Sequence, residues 1–396
     1  MPLPPLAAHL ADIPLAATMA AAARARALRD SGHDVISLTL GEPDFATPPH
    51  VVEAAHQAAL RGETKYTPLR GTPALIDAVR EKFRRDSGLD YAADEILIGN
   101  GARQIIYDAL IATLDPGNEV IVPVPYWNAY PLTTRMASAT PVFLPCAAAD
   151  NFLPDPEKIA AAITPRTRWL VLNFPNNPSG AVMPAARLAA IANVLRAQPH
   201  VWIMSDDMYE HLIHDGGANA TIAAVAPDLK PRVLTISGVS KTYAMTGWRV
   251  GFAGGPAPLI AAMAKVQGQT TSGVSGIAQA AAVAALTGPQ DIVGTMQRAY
   301  AARSRAVAAA MAAIPGVHCS VPAGAFYVFP DFSALLGGSY ATDADLADAL
   351  LAQAHVATVH GTAFGLPGHL RLSTAAALPA LEEACRRMTD FAGQRQ

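Results

Sequence analysis

Charge is scarce in this chain. Asp, Glu, Lys and Arg make up 15% of its 396 residues, and the formal net charge is −3. That balance gives no long-range attraction toward nucleic acid or an anionic membrane, so any anion site has to be local. Cysteine is scarcer. Cys146, Cys319 and Cys385 lie far apart with no CxxC pair, which excludes a disulfide framework and points to a reducing, cytoplasmic compartment. No metal site is expected. Residues 1–15 contain Pro2, Pro4, Pro5 and Pro14 but no Lys or Arg, so the basic and apolar parts of a secretory signal are missing. The longest apolar stretches are Ala-rich and broken by Gly, Pro, Gln or Arg. None reaches the length of a bilayer span.

What the chain does have is apolar bulk. Hydrophobic residues reach 51%, a well-buried globular composition, and the length favours two domains over one core. Short apolar, β-branched runs recur at 35–40, 95–99, 119–123, 141–145, 169–173, 201–206, 233–237 and 248–253. Helix-like stretches alternate with many of them, as at 50–60, 73–85, 102–114, 126–136 and 185–196. That alternation predicts an α/β domain with a mostly parallel sheet, buried on both faces. The ends differ. An Ala/Arg-rich helix over 18–30 is stopped by Gly32; a long helix over 291–314 is followed by strand candidates at 325–329, 357–359 and 370–373 and a last helix near 378–391. The pattern reads as a large central domain with a smaller one built from both chain ends.

Several segments carry possible chemistry. Lys241 follows the apolar run 233–237 among small residues, in Ser237-Gly-Val-Ser240-Lys241. A lysine buried at a strand end loses its proton readily and becomes a nucleophile toward an aldehyde. Arg249, with the hydroxyls of Ser237 and Ser240, suits a phosphate; the bland reading is a strand–turn with surface cations. Asp206 ends the run 201–206, with Tyr209 three residues on. A carboxylate there either pairs with a protonated pyridine nitrogen or caps a helix. Asn177 sits in Asn173-Phe-Pro-Asn-Asn177-Pro-Ser-Gly, a turn by composition whose amide can also donate to a ring oxygen. Gly99-Asn-Gly101-Ala102-Arg103-Gln104 opens a helix, where free N–H groups cradle phosphate. Its dinucleotide-like glycine pattern is incomplete and does not indicate NAD. Trp127 offers an indole for stacking. Arg371, alternating with apolar residues in His-Leu-Arg-Leu-Ser, offers a two-point clamp for a carboxylate.

Taken in order, GEPDF, KYTPLRG, GNGARQ, PYW, NFPNNPSG, SDDMYEH, SGVSKTYAMTGWRVGF and HLRLS closely resemble the class I/II aminotransferases of pyridoxal-phosphate (PLP) fold type I. Within that family the resemblance is strongest to the bacterial-type aspartate aminotransferases, and it covers nearly the whole chain. It implies an α/β fold: a large domain with a mostly parallel seven-stranded sheet sandwiched by helices (residues 46–290), and a smaller α+β domain from residues 1–45 and 291–396. It implies PLP held by Lys241 as a Schiff base, with Asp206 on the pyridine nitrogen and Tyr209 and Asn177 on the ring oxygen. Gly101, Ala102, Arg103, Ser237, Ser240 and Arg249 fall around the phosphate, and Trp127 stacks on the ring. Tyr66 matches a tyrosine reaching the phosphate of a neighbouring subunit, hence a homodimer. For the substrate, Arg371 matches the α-carboxylate clamp and Gly41 a backbone contact to it, with Thr18, Trp127 and Asn177 nearby. Arg103 stands where the subgroup usually has a lysine for the distal carboxylate, and Ala17-Thr18 replaces a Ser-Thr pair. The implied reaction is ping-pong transamination between an L-amino acid, aspartate first, and a 2-oxo acid, 2-oxoglutarate first. Aromatic, prephenate- or arogenate-type transamination and PLP-dependent β-elimination are the alternatives on the same fold. Neither nucleic acid nor membrane is an expected partner.

Overall fold

The computed structural model describes residues 13–338 and 340–393; the part of the expected N-terminal segment at 1–12 lies outside them. Strand β1 (Ile36–Ser37) stands apart from the main sheet. That sheet comprises β2 (Ile96–Gly99), β3 (Glu119–Val124), β4 (Thr140–Pro145), β5 (Thr167–Asn173), β6 (Trp202–Asp206), β7 (Val233–Gly238) and β8 (Gly251–Gly254). Its order is β2-β8-β7-β6-β5-β3-β4. β8 runs antiparallel to β2 and β7, and every other pair is parallel. The expected strand at 248–253 starts later because Thr246–Trp248 forms a 3-10 turn and Arg249 takes φ +58.

Both faces of the sheet are covered. Ile96 and Ile98 of β2 join Leu170 and Leu172 of β5 in one core cluster; Leu97, Trp169 and Val171 join the other. This is the side-to-side alternation of a strand with apolar partners on both sides, so the run reads as continuously apolar. The helix Pro73–Ser87 shows how the layers are stapled. The Thr72 hydroxyl accepts from Leu75 N at 3.4 Å, Pro73 opens the first turn, and Gly88 at φ +64 closes the last. The helix buries Leu75, Val79 and Phe83, and Phe83 meets Tyr91 and Phe252 edge to face. Burying such a side chain contributes about 2–3 kcal/mol.

The same helix buries a charge. Lys82 Nζ lies 2.5 Å from Glu210 Oε1 and 3.8 Å from Asp86, which is itself 3.2 Å from His211. Burial pushes the Glu210 carboxyl up, but Lys82, His211 and the Ser237 hydroxyl outweigh it and hold it below its ordinary value. Lys82→Met is expected to cost about 3–5 kcal/mol in denaturant unfolding at pH 8, because it strands a buried carboxylate. The sign with pH follows. With Lys82 present, Glu210 adds stability that is lost as pH falls through its depressed folded value. Without Lys82 its folded value rises, so acid relieves the defect. The gap between variant and wild type should narrow at pH 5; an equal gap at both pH values would reject Glu210 as the cause.

The remaining strands are β9 (Tyr327–Val328), β10 (Val356–Ala357), β11 (Val359–His360) and β12 (Leu370–Ser373). β12 pairs antiparallel with β9 and β11, and β1 pairs parallel with β10. The strand expected at 357–359 is therefore two strands that part at Thr358 and enter different sheets. The run 35–40 yields only two paired residues, since Leu38 N continues to Ala357 O before the chain leaves the sheet. The N-terminal helix Ala17–Asp30 ends where Gly32 takes φ +96 and His33 N reaches back to Leu28 O. No helix among the described residues is long and apolar enough to cross a membrane.

Candidate active site

The parallel strands deliver their carboxyl ends side by side. Asn173 of β5 is in register with Asp206 of β6, and Asp206 with Ile236 of β7. Such strand ends are where open α/β sheets bind ligands. A cavity of about 350 Å³ opens there. Thr18, Gly41, Ala102, Arg103, Trp127, Asn177, Asp206, Tyr209, Ser240, Lys241, Arg249 and Arg371 all line it. Residues from 18 to 371 thus converge on one space.

Lys241 lies on a single helical turn, Val239–Thr242, directly after β7. Its Nζ donates to the Gly41 carbonyl. Burial lowers the ammonium to about 8; Arg249 and Arg371 push the same way, against Glu42 and Asp206. The amine is therefore partly free of its proton near neutrality. Asp206 is buried, and burial raises its carboxyl to about 6 despite the donors Tyr130 OH at 2.6 Å and Met208 N at 3.2 Å. Tyr130 was not apparent as a site residue from sequence. It sits three positions past Trp127 on the helix Ala129–Met136, whose first turn aims it at Asp206.

Arg371 is the most telling group. It lies on β12 at 2% exposure, with its guanidinium between the rings of Tyr327 (4.6 Å) and Phe364 (4.9 Å). Nη1 donates to Asn177 Oδ1 at 3.0 Å and Nη2 to the Thr39 carbonyl at 2.5 Å, while Nε is buried with no acceptor. Among the described residues no carboxylate pairs with it. A buried cation without an anion is costly, and here it faces a cavity. The bond to Asn177 also commits the amide oxygen, leaving the NH₂ group to donate elsewhere.

Arg249 meets the chain at the start of the helix Ala102–Thr113. Gly101 precedes it at φ +77, and a Cβ there would lie 2.3 Å from Arg249 Nη2. Only glycine permits both the turn and the approach of the guanidinium. The first-turn N–H groups of Ala102 and Arg103 have no helical carbonyl to serve, and Arg249 stands beside them, bonded to the Thr246 and Asn100 carbonyls at 2.9 and 3.2 Å. Arg103 stacks over Trp127 at 4.7 Å.

Three expected site residues are placed differently. Ser237 does not line the cavity: its hydroxyl donates to Glu210 inside the core, which corrects the reading of it as a phosphate donor. The alternation along β7 turns it toward the Lys82–Glu210 pair instead. Gly101 acts from behind, through the room it leaves Arg249. Tyr66 is 97% exposed on a separate surface with Lys65, Ser272 and Ser275. Beyond Tyr130, the residues missed are Met19, Thr39, Leu40, Glu42, Asn173, Met208, Thr246 and Tyr327, which also line the cavity. Glu42, Asn173, Met208 and Thr246 lie within the quoted GEPDF, NFPNNPSG, SDDMYEH and SGVSKTYAMTGWRVGF segments, and that proximity is the available signal.

A buried lysine of lowered basicity, a buried carboxylate, an indole, an arginine beside a helix start and an arginine with no carboxylate partner among the described residues thus share one cavity. The model of the family "Aminotransferase class I and II" matches residues 33–388, and the chain belongs to that family, whose cofactor is pyridoxal phosphate. An aspartate aminotransferase of Rhizobium meliloti (strain 1021) is 48% identical over 388 residues, covering 96% of this chain and 95% of that protein. An aspartate/prephenate aminotransferase of Cereibacter sphaeroides is 46% identical over 388 residues, 96% of this chain and 97% of that protein. Among solved structures, the aspartate aminotransferase from Rhizobium meliloti superposes with a TM-score of 0.95 at 47% identity, over 98% of this chain and 99% of the other. The Thermus thermophilus aspartate aminotransferase with maleate gives 0.92 at 40% identity, over 98% and 100%.

Proposed function

We propose that the protein transfers the amino group of L-aspartate to 2-oxoglutarate in two half-reactions, the first product leaving before the second substrate binds. The observation that carries this is the buried, anion-less Arg371 facing the same cavity as Lys241. Arg371 binds the α-carboxylate through its planar fork, with Nε taking the acceptor it now lacks. Arg103 supplies the second cation, for the distal carboxylate of a dicarboxylic substrate.

Ala102, Ser240 and Arg249 hold the cofactor phosphate, Trp127 covers its ring, Asp206 holds a proton at the pyridine nitrogen, and Tyr209 and Asn177 donate to the ring oxygen. When bound, pyridoxal phosphate supplies an electrophilic carbon and an electron sink for the α-carbon. Lys241 Nζ, with its lowered basicity, would take the α-proton and return it to the cofactor's aldehyde carbon, on the far side of the shared nitrogen. Burial and the Tyr130 hydroxyl fix Asp206 for its task. Tyr66, too exposed to serve this cavity, is assigned to the neighbouring subunit's site in a homodimer. The domain division at 45/46 and 290/291 fits this reading, since β1 joins β10 and brings Thr18 and Arg371 to the cavity from opposite chain ends.

A second reading, transamination of prephenate or another ring-bearing acid, is supported by Met19 and Leu40. These exposed apolar side chains line the cavity wall. The Cereibacter sphaeroides relative bears the name aspartate/prephenate aminotransferase. The test is a titration of the holoenzyme with L-aspartate in the absence of any 2-oxo acid. One equivalent of oxaloacetate per site, with full conversion of the visible band, is expected. An unchanged band with aspartate would overturn the aspartate assignment, and conversion by an aromatic donor would then favour the second reading.

A further inference from the structure

Tyr327 is absent from every role assigned above, yet it touches three of the groups that have one. Its hydroxyl is 2.7 Å from the Tyr209 hydroxyl, its ring lies 4.6 Å under the Arg371 guanidinium, and a Cβ on Gly41 would fall 2.2 Å from its hydroxyl oxygen. Gly41 in turn carries the carbonyl that receives Lys241. We propose that Tyr327 is a positioning residue for Tyr209: its hydroxyl donates to the Tyr209 hydroxyl and so strengthens the donation from Tyr209 to the cofactor's ring oxygen. This rests on the Tyr209 assignment made above.

The direction follows from counting protons. Two phenols share one contact, and either can be the donor when the pair stands alone. Each has a single proton. Once Tyr209 spends its own on the ring oxygen, the proton between the two must come from Tyr327. Donors in series polarise one another, most strongly where water is excluded, and Tyr209 and Tyr327 are 5% and 1% exposed. The ring of Tyr327 is held by Arg371 above and by Phe326, whose centroid is 4.9 Å away. The hydroxyl is therefore delivered by β9 to a fixed point. Replacing Gly41 would close the space that point occupies.

The experiment is a spectroscopic pH titration of the holoenzyme's visible band, which reports loss of the proton on the bond between Lys241 and the cofactor. A ring oxygen with weaker donors is more negative and holds that proton to higher pH. Tyr327→Phe keeps the ring and removes one oxygen, and it should move the midpoint up by about half a unit to one unit, the net effect of one hydrogen bond. Tyr209→Phe should move it up at least as far, and adding Tyr327→Phe to that variant should move it no further. If Tyr327→Phe yields no holoenzyme, 3-fluorotyrosine at position 327, whose more acidic hydroxyl is a stronger donor, should move the midpoint down instead, and an unmoved midpoint there overturns the relay. A midpoint unmoved by Tyr327→Phe but raised by Tyr209→Phe overturns the relay while leaving the Tyr209 assignment standing. An equal shift from Tyr327→Phe with or without Tyr209 overturns it as well, because Tyr327 would then act on its own. If Tyr209→Phe itself leaves the midpoint unmoved, the Tyr209 assignment falls and the relay with it.

Discussion

Lys241→Ala is expected to retain pyridoxal phosphate in its cavity, release it on dialysis, and lose steady-state transamination by more than about 10⁴-fold, the upper range for a positioned acid–base group. The contacts proposed for Arg249, Trp127 and Asp206 are untouched, so weak cofactor binding should persist while the proton carrier is gone. The assay is initial rate with aspartate and 2-oxoglutarate beside equilibrium binding of the cofactor. Turnover within tenfold of wild type would remove Lys241 from the reaction. A companion result concerns pH. Because burial lowers the Lys241 ammonium to about 8, covalent reconstitution of the wild-type apoprotein should quicken as pH rises toward 8 and level off above it, as the nucleophile is the neutral amine.

Arg371→Ala should lower kcat/KM for the amino acid by roughly 10²–10³-fold, as expected for loss of two charge-assisted hydrogen bonds. Arg371→Lys should recover only part of that, because an ammonium keeps the charge and loses the planar fork. Most of the effect belongs in KM for both amino acid and 2-oxo acid, since each presents a carboxylate to the same group. Unchanged KM values would assign the buried guanidinium to packing between Tyr327 and Phe364 instead. That alternative is physically poor: without a ligand, Nε has no acceptor in the core, and an apolar residue would fill the space at lower cost.

Much of this site can be read along the chain, and the reason lies in the sheet. Asp206 and Lys241 each follow an apolar run that a parallel strand requires, and such strands all present their carboxyl ends to one edge. Asn177 and Gly101 carry turn chemistry that is local. Tyr130, Tyr327 and Ser237 are different. Whether a tyrosine on a helix or a short strand faces a ligand or the core depends on what packs opposite. Tyr130 and Tyr327 meet partners that are 76 and 118 residues away. Ser237 shows the converse: its motif places it at the site, but a Lys82–Glu210 pair brought in by another helix claims its hydroxyl. The strand boundaries at the chain ends were misread for the same reason. β1, β10 and β11 are too short to show a period, and each is defined by a distant partner, β1 and β10 by one another and β11 by β12.

The pairing of Ile36 with Val356 and of Ser37 with Ala357 also sets a timetable. A chain emerging from the ribosome holds β2 through β8, the complete central sheet, once residue 254 has appeared, and domains begin folding as their parts emerge. Strand β1, into which the helix Ala17–Asp30 leads, then has no partner until residue 357 is out, and loop closure over such a span is slow. The cavity wall that Thr18 and Met19 provide is therefore synthesised long before the strand pair beside it can close. Arg371 follows fourteen residues after Ala357, so on the proposed reading the central sheet can offer the cofactor a floor before any group is in place to bind the carboxylate of its substrate.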